Sequence, residues 1–280
     1  MADSHPTVRQ RELGVRLRQL RTINETTVEE VAAELLCPAT KITRIENGLR
    51  RASPRDVRDL CRVYRASERE TNALVELARA ASQGSWWTHY EDLRLSPYIG
   101  LEQSAASITA FSMYWVPALL QTEEYARAII TGIARKMDPA VLQQRLTARL
   151  KRQELLEQES PPHYRALLDE AVLHRKVGGP SVMSEQLEKI LELAESKVTV
   201  QVVPFDVGAY ASTDSNFEFL EFSGTLNPVV FVEGLYSNQY QEKAAEVERY
   251  REAIRYLRDE ALTPHESLDF IASTRRVRFS

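Results

Sequence analysis

A chain of 280 residues, 43% of them hydrophobic, is long enough for one large domain or two ordinary ones. No run of about 18 apolar residues is present to span a membrane, and the two cysteines, Cys37 and Cys61, form neither a disulfide framework nor a cysteine-rich zinc site. The net charge of −4 argues against a general nucleic-acid binder, but it is unevenly spread: residues 1–82 carry 15 Lys+Arg against 12 Asp+Glu, the remainder 21 against 28.

In chain order, MADSHPTVRQ lacks the apolar core of a signal peptide, so a cytoplasmic chain is expected. Leu13, Leu17 and Leu20 then recur at helical spacing, and Asn24-Glu25-Thr26 interrupts the pattern. Thr27-Val28-Glu29-Glu30 reads as a capping box opening a helix over 28–35. Pro38 and Gly48 bracket a helix over 39–47. Ser53-Pro54 starts another, with Val57, Leu60, Cys61 and Tyr64 as its apolar stripe, and a last short helix is predicted over 68–81. Ser82-Gln83-Gly84-Ser85 is the best linker candidate, which places domains at 1–82 and 86–280 with 83–85 between them.

Beyond Trp86 the composition turns aromatic, and helical patterns dominate to about residue 160. Strand-like runs follow Pro161-Pro162: 163–168, 198–204, 217–222 and 229–233, with a helix over 184–196 between two of them and a long one over 241–260. The expected fold class is a mainly α N-terminal domain followed by an α+β C-terminal domain.

The pair of helices around 27–48 has the makings of a helix-turn-helix. Ala32 is the small residue where the helices cross, and Val31, Leu35, Ile42 and Ile45 lock the angle. The second helix would then offer Ala39, Thr40, Lys41 and Arg44 to base edges. Arg50, Arg51, Arg55 and Arg58 form a cationic cluster, and phosphate contacts are expected from Thr27, Thr43, Arg50, Arg51 and Arg55. The alternative is a small helical bundle whose arginines are a solvated face. The residues Leu17–Arg21, Thr27–Ala32 and Lys41–Gly48 resemble the Cro/phage-repressor (XRE) type of helix-turn-helix. That resemblance implies an ion pair between Arg21 and Glu46 and a phosphate-holding role for Asn47. Three positions depart from the pattern: Val28 stands for a phosphate-binding Gln, Leu36 for the turn Gly, and Ala39 occupies a position that often reads bases.

In the C-terminal region His89, His163, His174 and His265 are far apart, and HExxH, GxSxG, Walker A and GxGxxG patterns are all missing. Asp169 and Glu170 are adjacent and so would face opposite sides of a strand. An enzyme is therefore not expected, nor a metal or other cofactor. Trp86, Trp87, Tyr90, Tyr98 and Trp115 either line a ligand or partner site or belong to a core. The 208–216 loop is polar and either covers a ligand or partner or simply connects two strands.

The stretches Trp86-Trp87, Tyr98–Glu102, Val116–Ala128, Leu168–Ala171, Val177–Gly179, Gln186-Leu187, Val200–Phe205 and Phe231–Gly234 resemble the large C-terminal domain of actinobacterial WhiJ-like, antitoxin-like regulators. The resemblance implies binding to double-stranded DNA coupled to a partner, commonly a small acidic protein encoded nearby; a cytoplasmic, nucleoid-associated homodimer is expected, since two recognition helices one helical turn apart raise affinity. The resemblance supplies no catalytic residues to carry over. A small-molecule-responsive regulator and a DNA-silent interaction module are the alternatives.

Overall fold

The computed structural model describes residues 8–82, 86–89, 96–133, 136–210, 215–224, 226–234 and 237–279. The chain divides into two compact units, residues 1–104 with 223–226 and residues 105–222 with 227–280. The 83–85 linker and Tyr90 lie outside the described residues.

The first unit is built from α1 (Val8–Ile23), α2 (Val28–Glu34), α3 (Ala39–Glu46), α4 (Pro54–Val63) and α5 (Glu68–Ser82), followed by a short α6 (Ser96–Glu102). Local chemistry sets their boundaries. Thr27 Oγ1 accepts from the Glu30 N–H while Glu30 returns a bond to the Thr27 N–H, and Ser53 and Asp56 do the same for α4, with Pro54 at the first helical position. At the other ends, α1, α2 and α4 close with six-residue backbone bonds, Thr26 N–H to Arg21 O, Cys37 N–H to Ala32 O and Ala66 N–H to Cys61 O. Each passes through a left-handed residue, Glu25, Leu36 or Arg65, where glycine is the usual choice. Leu13, Leu17, Val31, Ile42, Ile45, Val57, Leu60, Tyr64 and Leu74 form the shared core, with Val28, Leu35 and Ala39 packed against it.

The second unit is α+β. Its six-stranded mixed sheet runs β3-β2-β1-β4-β5-β6, with β1 (Ser107–Ser112), β2 (His163–Asp169), β3 (Val198–Val203), β4 (Phe217–Glu221), β5 (Val229–Glu233) and β6 (Asn238–Gln241). β1, β2 and β3 are parallel, joined through α7 (Glu123–Ile133) and α8 (Pro139–Gln153), then α9 (Glu170–His174) and α10 (Pro180–Ala194). β4, β5 and β6 form an antiparallel meander on the other side of β1. α11 (Ala244–Glu260) and α12 (Pro264–Arg278) complete the unit. Phe111, Leu167, Val203, Phe217, Phe219 and Val230 form a core with Val247 and Leu257 of α11, while α10 and α12 pack along β3.

Two expectations are corrected here. Strands do not begin after Pro162: β1 lies within the stretch read as helical, pairs with both β2 and β4, and joins the two halves of the sheet. Its residues Ser-Ile-Thr-Ala-Phe-Ser are too few, and buried on both faces at the C-terminal end, so no two-residue alternation shows. The long helix starts at Ala244 rather than 241, because residues 238–241 pair with β5 as an edge strand.

Candidate nucleic-acid interface

The reading surface of the first unit is set by the period of α3. Ile42, Ile45 and Glu46 are buried, which leaves Thr40, Thr43, Arg44 and Asn47, at spacings of three, four and seven, exposed along one stripe. Thr43 Oγ1 is bonded back to the Ala39 carbonyl at 3.2 Å, and Asn47 caps the helix before Gly48, whose φ of +71° lets the chain turn away. Arg50, Arg51, Arg55 and Arg58 are exposed beyond that turn, Arg55 lying 3.9 Å from Asp59. Ala39 is half-buried against the core, and Thr27 is exposed with its hydroxyl engaged in the α2 cap.

Lys41 sits at the margin of the stripe. Its Nζ donates to Asp56 Oδ1 at 2.6 Å, and both side chains are about three-quarters buried, at 27% and 25% exposure. Burial alone would raise the Asp56 carboxyl, but bonds from Lys41 and Ser53 outweigh it and hold it below the usual carboxylate range. Sequence reasoning did not single out Asp56. The signal was available in Ser53-Pro54-Arg55-Asp56, whose capping spacing fixes Asp56 in the first turn of α4.

Behind the stripe, Arg21 grips Glu46 with two parallel bonds, Nε to Oε1 at 2.8 Å and Nη2 to Oε2 at 2.9 Å. Arg21 Nη1 also donates to the Thr26 carbonyl, and the Tyr64 hydroxyl donates to Glu46 Oε1 at 2.8 Å. The network thus links the C-terminal ends of α1, α3 and α4. Sequence reading placed Tyr64 in an apolar stripe and missed its hydroxyl. Burial, with Glu46 alongside, raises the Tyr64 phenol far above its ordinary value and keeps it a donor.

The aromatics singled out at 86–115 are divided between the units. Trp86 and Trp87 meet edge to face at 5.7 Å, and Trp87 lies close over Gly100 of α6. Tyr98 is buried and donates to Glu102 Oε1 at 2.8 Å. Trp115 belongs to the second unit, where its carbonyl accepts from the Ser112 hydroxyl and its ring meets Tyr114. In that unit Asp169 caps α9 and accepts from the Tyr210 hydroxyl, while Glu170 accepts from the Phe205 N–H and pairs with His174 at 2.9 Å. Both carboxylates are spent on holding the segment after β3. Residues 211–214 of the 208–216 loop lie outside the described residues. Among the described residues, no group of three or more His, Cys, Asp or Glu could hold a metal ion, and no helix is long and apolar enough to cross a membrane.

Comparison with known families follows the same division. Residues 95–273 match a family model described as a domain of unknown function, DUF5753. The chain belongs to the DUF5753 family. Residues 12–74 match a helix-turn-helix domain model, so this DUF5753 protein carries a DNA-binding type of module ahead of its larger domain. No curated protein and no solved structure matches the chain.

Proposed function

We propose that this protein is a sequence-specific transcription regulator of the XRE type, a cytoplasmic, nucleoid-associated repressor that works as a homodimer. The observation that carries the reading is the exposed stripe Thr40, Thr43, Arg44 and Asn47 on α3, continued by Arg50, Arg51 and Arg55 beyond Gly48. An arginine at that position can bond a guanine edge in two places, and flanking arginines fit phosphates. Two copies would place their α3 helices about 34 Å apart, one turn of DNA. The C-terminal domain, read as that of an actinobacterial WhiJ-like, antitoxin-like regulator, binds a small acidic protein rather than carrying out catalysis. Its resemblance along 116–128 supports that part.

Genome-wide mapping of bound DNA, with recovery of co-purifying proteins, tests the whole reading. It expects a few discrete sites of two-fold symmetric sequence. Arg44→Ala should flatten the preference among sequences, and a joint Arg50→Ala, Arg51→Ala change should weaken binding to all of them and reduce its salt dependence. Uniform occupancy of the genome, or an Arg44→Ala protein with unchanged preference, would overturn it.

A further inference from the structure

Asp56 pairs with Lys41 at the edge of the α3 stripe. Its carboxylate is clamped from one side by the α4 cap, with Oδ2 accepting from Ser53 N–H at 2.9 Å and Ser53 Oγ at 2.7 Å. From the other side it receives Lys41 Nζ on Oδ1 at 2.6 Å. At the start of the ten-residue α4, the Ser53 N–H, the Ser53 hydroxyl and the Lys41 amine at the edge of the α3 stripe converge on one anionic group, the Asp56 carboxylate. Arg50 and Arg51, just before α4, and Arg55 in its first turn are all exposed. A phosphate of the DNA backbone is the ligand such a site takes. Asp56 already supplies the negative charge, and it cannot swing aside without opening the cap.

We propose that Asp56 is an internal stand-in for a DNA phosphate, holding Lys41 out of backbone contact and so restraining sequence-independent binding. This rests on the reading of the first unit as DNA-binding. Affinity for any duplex grows with each phosphate neutralised by a lysine or arginine, whereas base contacts discriminate between sites. Cancelling one lysine next to the reading stripe lowers the first term and leaves Arg44 in place for the second. Asp56 is thus a positioning residue that acts through Lys41, and it raises the ratio of specific to non-specific binding.

The test uses the full chain and a fluorescein-labelled duplex of random sequence, with affinity measured by anisotropy across about 50 to 200 mM salt. Asp56→Asn keeps an oxygen for the Ser53 N–H and frees Lys41. Its plot of log affinity against log salt should steepen by about 0.9, so that affinity falls about 3.5-fold more across that range than for the unaltered protein. Asp56→Ser, which also retains an acceptor for the cap, carries the same expectation should Asp56→Asn not fold. The gain should vanish in the Lys41→Met, Asp56→Asn double variant. Ser53→Ala separates the cap from the charge: it should lower the melting temperature and leave the slope unchanged. An unaltered slope in Asp56→Asn, or a steepening that survives removal of Lys41, overturns the inference while the DNA-binding reading stands. A folded, unaltered protein with no salt-dependent binding to any duplex overturns that reading, and this inference with it.

Discussion

Leu36 sits in the turn between α2 and α3 with φ at +49° and 94% of its surface exposed. The left-handed region brings Cβ close to the following carbonyl, and an exposed leucine gains nothing from burial in return. In the sequence, Leu36 stands where the resemblance places the turn glycine. The structure keeps the turn, closed by the Cys37 N–H to Ala32 O bond, and so keeps the strain. Leu36→Gly should therefore stabilise the protein by about 1 kcal/mol, read as a higher urea midpoint. An equal or lower midpoint would show that the turn is relaxed with leucine in place. The same scale shows what residue types conceal. Lys41 reads as an available base contact in sequence because its partner lies 15 positions on, and only the packing of α4 beside α3 brings Asp56 to it.

Between elements, the crossing of α1 and α3 turns on Gly14. A Cβ there would lie 2.5 Å from the Glu46 carbonyl oxygen and 2.7 Å from that of Ile45, distances that real contacts do not reach. Glycine inside a helix ordinarily costs stability, and here it permits the backbone of α3 to rest directly on α1. Gly14→Ala should force the helices apart, lowering stability by about 1–3 kcal/mol in a denaturant melt and weakening DNA binding, because the Arg21–Glu46 grip spans the same junction. A neutral Gly14→Ala change would place the crossing elsewhere. The helices themselves were legible from caps and spacing; the closeness of this pair was not, since an isolated glycine in a helical run does not name its neighbour. The 116–122 segment in the second unit behaves alike. Its resemblance to a family was visible, but the hydrogen bonds that hold it come from distant segments: Gln186 bonds Leu120 O and the Thr122 N–H, Gln153 bonds Ala118 O and Gln121 O, and Lys189 reaches Gln121 O.

Across the whole molecule, buried tyrosines set an alkaline limit. Burial pushes the Tyr125 phenol up to about 12, and Tyr64 and Tyr210 are also raised by burial beside carboxylates. Above about pH 10 the unfolded chain loses these protons while the folded chain retains them, so folding stability is full below pH 10 and falls as pH rises. Melting temperature should drop between about pH 10 and 12, and less steeply in Tyr125→Phe. That variant should also be less stable at neutral pH, by about 1–3 kcal/mol, because the Val116 N–H loses its acceptor in a buried place. Parallel curves for the two proteins would exclude Tyr125 from the effect. Sequence by itself determined the helical caps, the apolar faces, the helix-turn-helix and four of the six strands, because these follow from contacts among near neighbours and from the period of burial. Tertiary structure alone decided the central β1, the edge strand β6, the closeness of α1 to α3, and the capture of Lys41 by Asp56. Each of those depends on which distant segments meet, and a local pattern of residues carries no record of its partner.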